Sequence, residues 1–216
     1  MQNVGAYGVE TKDVMTYCTA LNLETFQLEK FDNQACEFGY RESFFKHQGK
    51  GKYVITDVVF KLKKQDHDLH TGYGDISSEL EKMQVSNPTI QDVSQAVIAI
   101  RSSKLPDPKK LGNSGSFFKN PIVDRNTFAA FIAKHPPAPH YTISENEVKI
   151  PAGWLIEQAG LKGFREGDAG VHEKQALVLV NYGKATGQEL LQLAKKVQQT
   201  VLEKFGIKIY PEVNII

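Results

Sequence analysis

The chain is organised around one stretch of its second half, Gly112-Asn113-Ser114-Gly115-Ser116-Phe117-Phe118-Lys119-Asn120-Pro121. The two glycines permit backbone conformations that other residues avoid, and the serines and asparagine around them favour a turn. Packing of the two adjacent phenylalanines would anchor such a turn and hold a serine hydroxyl in place. The pattern therefore predicts either a binding or catalytic loop or a tight turn that leads into a buried strand.

Composition limits the classes of function that the chain can have. Its 216 residues can form one large domain or two modest ones, and a hydrophobic fraction of 41% can build a core. The 26 Lys and Arg residues nearly balance the 25 Asp and Glu residues, which gives no general attraction to nucleic acid or to an anionic membrane. No apolar run approaches the ~18 residues that a membrane span needs, and the first residues contain no signal-peptide core. We therefore expect a soluble, cytoplasmic protein that binds neither nucleic acid nor a membrane.

The spacing of cysteine and histidine predicts no metal site. Cys18 and Cys36 are the only cysteines and have no companion histidines, so reduced structural thiols are expected. His67 and His70 have an i, i+3 spacing beside two aspartates, but no third fixed ligand is visible. We expect that segment to be a solvated loop.

The first half of the chain predicts strands followed by a helix. Val14–Leu21 and Phe26–Phe31 are rich in strand-forming residues and predict a hairpin. Tyr53–Leu62 has apolar residues on both faces, which indicates a central, covered strand. Asn87-Pro88 predicts the N-cap and first turn of a helix whose apolar stripe ends near Arg101.

Several side chains of the first half are candidates for binding. Arg41 lies among four aromatic residues, where burial would strengthen the interactions of its guanidinium, although it could equally pair with a neighbouring glutamate. Tyr73 lies in a Gly-Tyr-Gly loop, where it could cover a ligand or simply be exposed. Arg101 and Lys104 end the helix, where they complement its dipole or could grip a diphosphate.

The prolines that follow this helix mark a domain boundary near residue 105. The elements predicted beyond it are a helix capped by Asp124, a helix over Ala152–Gln158, a strand over Ala176–Val180, a long helix behind the capping box of Thr186 and Glu189, and a strand over Ile207–Tyr210. The mixture of helices and strands predicts an α+β fold of two modules.

Glu212 follows an apolar C-terminal segment, and buried glutamates are rare unless they are paired. It is therefore a functional candidate, or else an edge residue that faces water. The Gly-Asn-Ser-Gly-Ser sequence is superficially similar to the nucleophile turn of trypsin-like proteases, but the long helices argue against that fold. Gly72–Gly74 lacks the third glycine of a dinucleotide-binding loop. The residues alone support a two-module ligand-binding protein with Ser116, Arg41 and Glu212 as candidates.

Seven motifs occur together and in order along the chain. They are Gln2–Gly8, Phe38–Ser43, Thr71–Asp75, Lys104–Pro108, Gly112–Pro121, Ala152–Ile156 and Pro211–Val213. From Met1 to Ile216 the chain resembles the UDP-N-acetylenolpyruvoylglucosamine reductases, the flavoenzymes of the second committed step of peptidoglycan precursor synthesis. The loop of Tyr73 resembles the type I branch of that family.

The resemblance implies a domain organisation. Residues 1–104 would be the remainder of an FAD-binding α+β domain, and residues 105–206 a smaller α/β substrate-binding domain. Residues 207–216 would be a return strand that carries Glu212.

The resemblance also implies the reaction. NADPH would reduce bound FAD, and the flavin would then reduce the enolpyruvyl group of the substrate, UDP-N-acetylglucosamine enolpyruvate, to give UDP-N-acetylmuramate. Such an oxidoreductase serves cell-wall biosynthesis, and through it cell shape and cell division. We expect it to act as a cytoplasmic monomer without a metal ion.

The same resemblance implies roles for individual residues. Ser116 would be the proton donor, with Arg41 and Glu212 about the substrate carboxylate. The residues that would contact the UDP-sugar, with Lys104 on its diphosphate, are Tyr73, Lys104, Asn120 and Gln175. The residues that would lie near the flavin are Gly5, Ala6, Tyr7, Gly8 and Arg41.

Two departures from the family pattern stand out. Position 114 is serine where the family more often has alanine, which is a small change. The N-terminal part of the family, with its glycine-rich loop for the FAD pyrophosphate, has no counterpart in this sequence. The alternative expectation is therefore a truncated, flavin-free UDP-sugar binding module or an inactive remnant.

Overall fold

A computed structural model describes residues 1–215. The chain divides into two compact units, Met1–Ile100 and Arg101–Ile216. Both units combine helices and strands, which confirms the predicted α+β class. Within the described residues, no helix has both the length and the apolar composition needed to cross a bilayer.

The first unit contains short strands, a three-stranded sheet and helices. Its elements are β1 (Gly5–Ala6), β2 (Val9–Glu10), α1 (Thr11–Val14), β3 (Met15–Asn22), β4 (Leu28–Asp32), a 3-10 turn (Phe44–Lys46), β5 (Tyr53–Phe60), α2 (Ile76–Lys82) and α3 (Ile90–Lys104), which continues past the unit boundary. β3 is the central strand of the sheet, with β4 and β5 antiparallel on either side. The predicted hairpin is confirmed as β3 and β4.

The prediction that Tyr53–Leu62 is a central, covered strand is wrong. β5 is an edge of the sheet, and in the part of the chain that the structure describes only β3 pairs with it. Val54 is 51% exposed and Phe60 is 50% exposed. Apolar residues on both faces show that a strand can be covered, but pairing and layering depend on distant segments that the local pattern does not reveal.

Two small cores stabilise the first unit. Behind β3, the buried side chains of Cys18 and Cys36 meet with their sulfur atoms 4.0 Å apart, and both thiols are free. Between α2 and α3 the buried residues are Ile76, Leu80, Ala96 and Ile100. The helix α3 begins at Ile90 rather than at Asn87-Pro88, because the Thr89 and Asp92 pair forms the cap: Thr89 N donates to Asp92 Oδ2 at 2.8 Å, and Asp92 N donates to Thr89 Oγ1 at 3.3 Å.

The second unit is built on a four-stranded antiparallel sheet. Its elements are β6 (Gly112–Ser116), β7 (Phe118–Lys119), β8 (Ile122–Asp124), α4 (Arg125–Lys134), β9 (Tyr141–Thr142), β10 (Glu147–Lys149), α5 (Ala152–Gln158), β11 (Arg165–Glu166), β12 (Ala169–Val171), β13 (Val178–Asn181), α6 (Gly187–Phe205) and β14 (Tyr210–Pro211). The strand order is β11-β12-β13-β6, with a second sheet of order β8-β10-β9 and a β14-β7 pair.

Helices α5 and α6 supply much of the core of the second unit. Leu155 and Ile156 of α5 and Val197 and Val201 of α6 are completely buried in one cluster. Local caps fix where the helices begin, as predicted. Asp124 accepts from two backbone N–H groups at the start of α4, and Thr186 makes a capping box at the start of α6.

The predicted strand over Ile207–Tyr210 is wrong for most of its length. Only Tyr210 and Pro211 pair with another strand, β7. Ile207 and Ile209 are buried in the core without strand pairing, and the Ile209 carbonyl accepts a bond of 2.8 Å from the Gln198 side chain of α6. The apolar pattern of Ile207 and Ile209 correctly indicated that these residues are buried, but burial does not require a strand.

Candidate functional site

The stretch Gly112–Pro121 contains an edge strand with a bulge. On β6, Asn113 lies opposite Val180 and Ser116 lies opposite Val178, so three steps along β6 match two along β13. Gly115 takes up the extra residue with φ of +73°, in the left-handed region. The residues from Gly112 to Ser116 are therefore part of a sheet, where the sequence predicted either a site loop or a tight turn that leads into a buried strand.

Ser116 lies at the exposed end of this strand. The next residue is tied to the sheet, because Phe117 N donates to the Leu177 carbonyl at 2.7 Å. Phe118 is only 1% exposed and packs its ring against that of Phe117, with 5.0 Å between the ring centroids. The expected aromatic anchor beside the serine is present, and Phe118 is the more deeply buried of its two members.

Glu212 lies beside this segment although it is far away in sequence. The pairing of β14 with β7 sets Pro211 opposite Phe118, and Glu212 N donates to the Phe117 carbonyl at 2.7 Å. Glu212 is half-buried. The structure thus brings the backbone of Glu212 next to the residue that follows Ser116.

Asn120 and Gln175 lie close to the start of α5. Asn120 Oδ1 accepts a bond of 2.9 Å from Ala152 N, so this side chain holds the first turn of the helix. A methyl group added at Gly153 would lie 3.7 Å from Gln175 Oε1 and 3.6 Å from Leu177 Cγ. Sequence reasoning missed the structural bond of Asn120, since its partner is 32 positions away.

A cavity of about 740 Å³, open to solvent, lies beside the bulge. Its lining comes from the end of α3, the connection after it and β6, and consists of Arg101, Ser102, Leu105, Pro106, Asp107, Pro108, Lys110, Asn113, Ser114 and Gly115. Lys104, the last residue of α3, is exposed next to this connection. The cations that line the cavity itself are Arg101 and Lys110, and Lys110 was not among the candidates from the sequence.

In the first unit, β1 and β2 form a hairpin with a two-residue turn. Gly5 pairs with Glu10, and the turn residues Tyr7 and Gly8 both have left-handed backbones, with φ of 54° and 82°. Two successive residues of positive φ are typical of the turn that suits the twist of a hairpin. The predicted flavin-side residues Gly5–Gly8 are therefore a defined local structure.

Arg41 is fixed against this hairpin. Its Nη2 donates to the Gly5 carbonyl at 2.7 Å and its Nη1 donates to the Asn3 carbonyl at 3.4 Å. The carboxylate of the neighbouring Glu42 lies 2.9 Å from His47 Nε2. The structure thus holds the Arg41 guanidinium against the backbone of Gly5 and Asn3.

Glu10 joins this group, and sequence reasoning did not single it out. Burial favours the neutral acid, but hydrogen bonds from Lys12 and Asn3 and the charges of Lys12 and Arg41 outweigh it and hold the pKa of Glu10 below its ordinary value. A methyl group added at Gly5 would lie 2.8 Å from Glu10 Cγ and 3.4 Å from Arg41 Nη1. The side chains of Glu10 and Arg41 thus fill the space beside Gly5.

Tyr73 also lies at the hairpin. Its ring meets that of Tyr7 edge to face, with 6.2 Å between the ring centroids, and Tyr73 is 54% exposed. The predicted site residues thus form two groups. The first unit holds Gly5, Ala6, Tyr7, Gly8, Arg41 and Tyr73, and the second unit holds Lys104, Ser116, Asn120, Gln175 and Glu212.

Comparisons with known proteins give a consistent result. The family model described as UDP-N-acetylenolpyruvoylglucosamine reductase, C-terminal domain, matches residues 107–216. The UDP-N-acetylenolpyruvoylglucosamine reductase of Flavobacterium johnsoniae is 60% identical over 216 residues, which is 100% of this chain and 64% of that protein. The reductase of the same name from Chromobacterium violaceum is 53% identical over 213 residues, 98% of this chain and 62% of that protein.

A solved structure has the same fold. The crystal structure of UDP-N-acetylenolpyruvylglucosamine reductase from Thermus caldophilus matches with a TM-score of 0.60 and 22% identity, covering 99% of this chain and 57% of that one. The chain spans less than two thirds of the length of each of these proteins.

Proposed function

Since the chain belongs to the UDP-N-acetylenolpyruvoylglucosamine reductase family, a family of oxidoreductases in peptidoglycan precursor synthesis, we propose that it serves the NADPH-dependent reduction of UDP-N-acetylenolpyruvoylglucosamine to UDP-N-acetylmuramate, with FAD as cofactor. One observation carries the proposal. The bond of 2.7 Å from Glu212 N to the Phe117 carbonyl puts Glu212 beside the segment of Ser116, although Glu212 lies 96 positions after Ser116 in the sequence.

Ser116 is proposed as the proton donor of this reaction. Reduction of the enolpyruvyl double bond adds a hydride to its terminal carbon and a proton to the adjacent carbon. A serine hydroxyl is a weak acid in water, but a carbanionic carbon is a strong base and needs only a well-aimed donor. The exposed position of Ser116 and the anchored backbone after it support this role.

Arg41 and Glu212 are proposed to act about the substrate carboxylate. Negative charge flows into that carboxylate as the hydride arrives, and a guanidinium is charged at any working pH and can bind it in a bidentate manner. The two carbonyl contacts of Arg41 support the role by holding its guanidinium in one place. Glu212, half-buried beside Phe117, would contribute a hydrogen-bonding group.

The hairpin residues fit a role in holding the flavin. The turn of the hairpin has a defined left-handed backbone at Tyr7 and Gly8, and Arg41 fixes a positive charge against the Gly5 carbonyl. When bound, FAD would take a hydride from NADPH and pass one to the substrate. Gly5, Ala6, Tyr7, Gly8 and Arg41 would contact it from the protein side.

The remaining residues are proposed to bind the UDP-sugar. Lys104 would contact the diphosphate, and Tyr73, exposed at its loop, would cover the ligand. Asn120, whose Oδ1 is bonded to Ala152 N, would bind the ligand through its Nδ2, and Gln175 would bind it beside the start of α5. We assign residues 1–104 to the flavin side, 105–206 to the substrate side and 207–216 to the return strand, and we expect a cytoplasmic monomer.

The proposal is tested on the purified protein. We expect the visible absorbance of a bound flavin, and oxidation of NADPH that depends on the enolpyruvyl substrate. A colourless protein that does not oxidise NADPH would refute the proposal for this chain. If such a protein still bound UDP-N-acetylglucosamine enolpyruvate in a calorimetric titration, the flavin-free binding module would be the correct description.

A further inference from the structure

We propose that Asn113 is a positioning residue that holds the bulge of β6 and thereby determines where the side chain of residue 116 points. This inference deepens the function proposed above, because it rests on Ser116 as the proton donor. Its evidence is the set of hydrogen bonds that Asn113 makes to the bulge and to the chain before it.

The bulge controls which side of the strand Ser116 occupies. Side chains alternate between the two faces of a strand, so one extra residue moves every later side chain to the opposite face. The extra residue of β6 lies between Asn113 and Ser116. If β6 were paired with β13 without the bulge, the side chain at position 116 would exchange faces with its neighbour.

Asn113 is bonded to the bulge and to the chain before it. Its Oδ1 accepts from Gly115 N at 3.0 Å, which closes a turn around Ser114. Its Nδ2 donates to the Leu111 carbonyl at 2.8 Å and to the Pro106 carbonyl at 3.3 Å. One half-buried side chain therefore connects the bulge to the connection that follows α3.

The conformation of Gly115 depends on this support. Gly115 has a left-handed backbone, with φ of +73°. The bond to Asn113 Oδ1 is the contact that holds its N–H. On the other side of Ser116, the bonds of Phe117 to Leu177 and Glu212 fix the backbone. The side chain of Asn113 therefore holds the backbone before Ser116, and the hydrogen bonds of Phe117 hold the backbone after it.

A labelling experiment tests the inference without reference to activity. A Ser116→Cys variant places a thiol at the position, and its alkylation by iodoacetamide reports the exposure of that side chain. The native thiols give little background, because Cys18 and Cys36 are both 0% exposed and burial raises their pKa. Asn113→Ala in this variant removes all three hydrogen bonds of the side chain, and each of them shifts an equilibrium constant about fivefold, so labelling is expected to slow at least about fivefold.

Two matched variants complete the comparison. Asn113→Asp keeps the acceptor for Gly115 N but loses the donor to the Leu111 and Pro106 carbonyls, so its labelling rate should lie between those of Ser116→Cys alone and of Ser116→Cys with Asn113→Ala. Asn181 is a second asparagine of the same sheet, and its side chain bonds to Gly183 and Ala185 rather than to the bulge. Asn181→Ala should leave the labelling of Cys at 116 unchanged. If Ser116→Cys is labelled at the same rate with and without Asn113→Ala, the inference is overturned.

The kinetic consequence is measured in the flavin-loaded protein. Asn113→Ala should slow reoxidation of the reduced flavin by substrate about fivefold or more, while reduction of the flavin by NADPH keeps its rate. Combined with Ser116→Ala, Asn113→Ala should add no further loss, because a residue that acts through another has no effect once the other is gone. Losses that multiply in the double variant would overturn the inference.

The two proposals fail in different ways. If Ser116→Ala reoxidises its flavin at the wild-type rate, the proton-donor role of Ser116 is refuted. The labelling comparison does not use the reaction, so it decides the role of Asn113 in either case.

Discussion

Gly115→Ala should destabilise the second unit through backbone strain alone. Gly115 has φ of +73°, and a methyl group there would meet nothing within 4 Å, so the substitution adds strain without a steric clash. A non-glycine residue in the left-handed region costs roughly 1–2 kcal/mol. For a chain of this size that corresponds to a fall in Tm of roughly 2–8 °C. The chain has one tryptophan, and Trp154 packs against the core of the second unit, so its fluorescence during urea or thermal unfolding reports this unit.

A second glycine of the same unit provides the control. A methyl group added at Gly187 would also meet nothing within 4 Å, but Gly187 is the first residue of α6 and its φ is not in the left-handed region. Gly187→Ala should be neutral or stabilise by up to ~1 kcal/mol. Gly115→Asn should cost less than Gly115→Ala, because asparagine tolerates the left-handed conformation better. Equal unfolding midpoints for Gly115→Ala and Gly187→Ala would refute the reasoning.

Three further predictions concern other parts of the chain. Burial raises the pKa of Cys36 to about 12, so both Cys18 and Cys36 should react with a thiol reagent at pH 8 only as fast as the first unit unfolds, and rapid labelling of the folded protein would contradict this. Hydrogen bonds from the Thr127 side chain and backbone lower the pKa of Asp124 in the folded protein. The ionised Asp124 therefore contributes its full stabilisation above the pKa of an unfolded aspartate, and this stabilisation is lost as pH falls through the lower pKa of the folded state. Asp124→Asn should therefore flatten the dependence of unfolding on pH in the acid range, and an unchanged slope would contradict the capping role. Lys104→Ala should raise KM for the UDP-sugar with little change in kcat, as the loss of uniform binding does, and the reverse pattern in steady-state kinetics would exclude a diphosphate contact.

Elements fixed by neighbouring residues could be predicted from the sequence. The starts of α4 and α6 were found because Asp124 and Thr186 bond to backbone groups within three residues. The edge position of β5 could not be found, because it depends on which strands pair with it. The cap of α3 was predicted at Asn87-Pro88, but the Thr89 and Asp92 pair makes the capping bonds.

The candidate site was predictable in its residue types but not in its geometry. Gly115 and Ser116 stood out locally, yet the bulge exists only by comparison with β13, which lies more than 60 positions further along the chain. Glu212 likewise lies close to Phe117 only because β14 pairs with β7. The resemblance to a family supplied the roles of these residues, and spacing alone did not.

The pairing of β14 with β7 has a consequence for how the protein is made. During synthesis, β7 leaves the ribosome long before Tyr210 and Pro211, its partners in the folded protein. The hydrogen bond between the Phe117 carbonyl and the N–H of Glu212 therefore cannot form until almost the whole second unit has been translated. Segments generally fold as units once their contacts are available during translation. The backbone around Ser116 should accordingly be among the last parts of the second unit to reach its final structure.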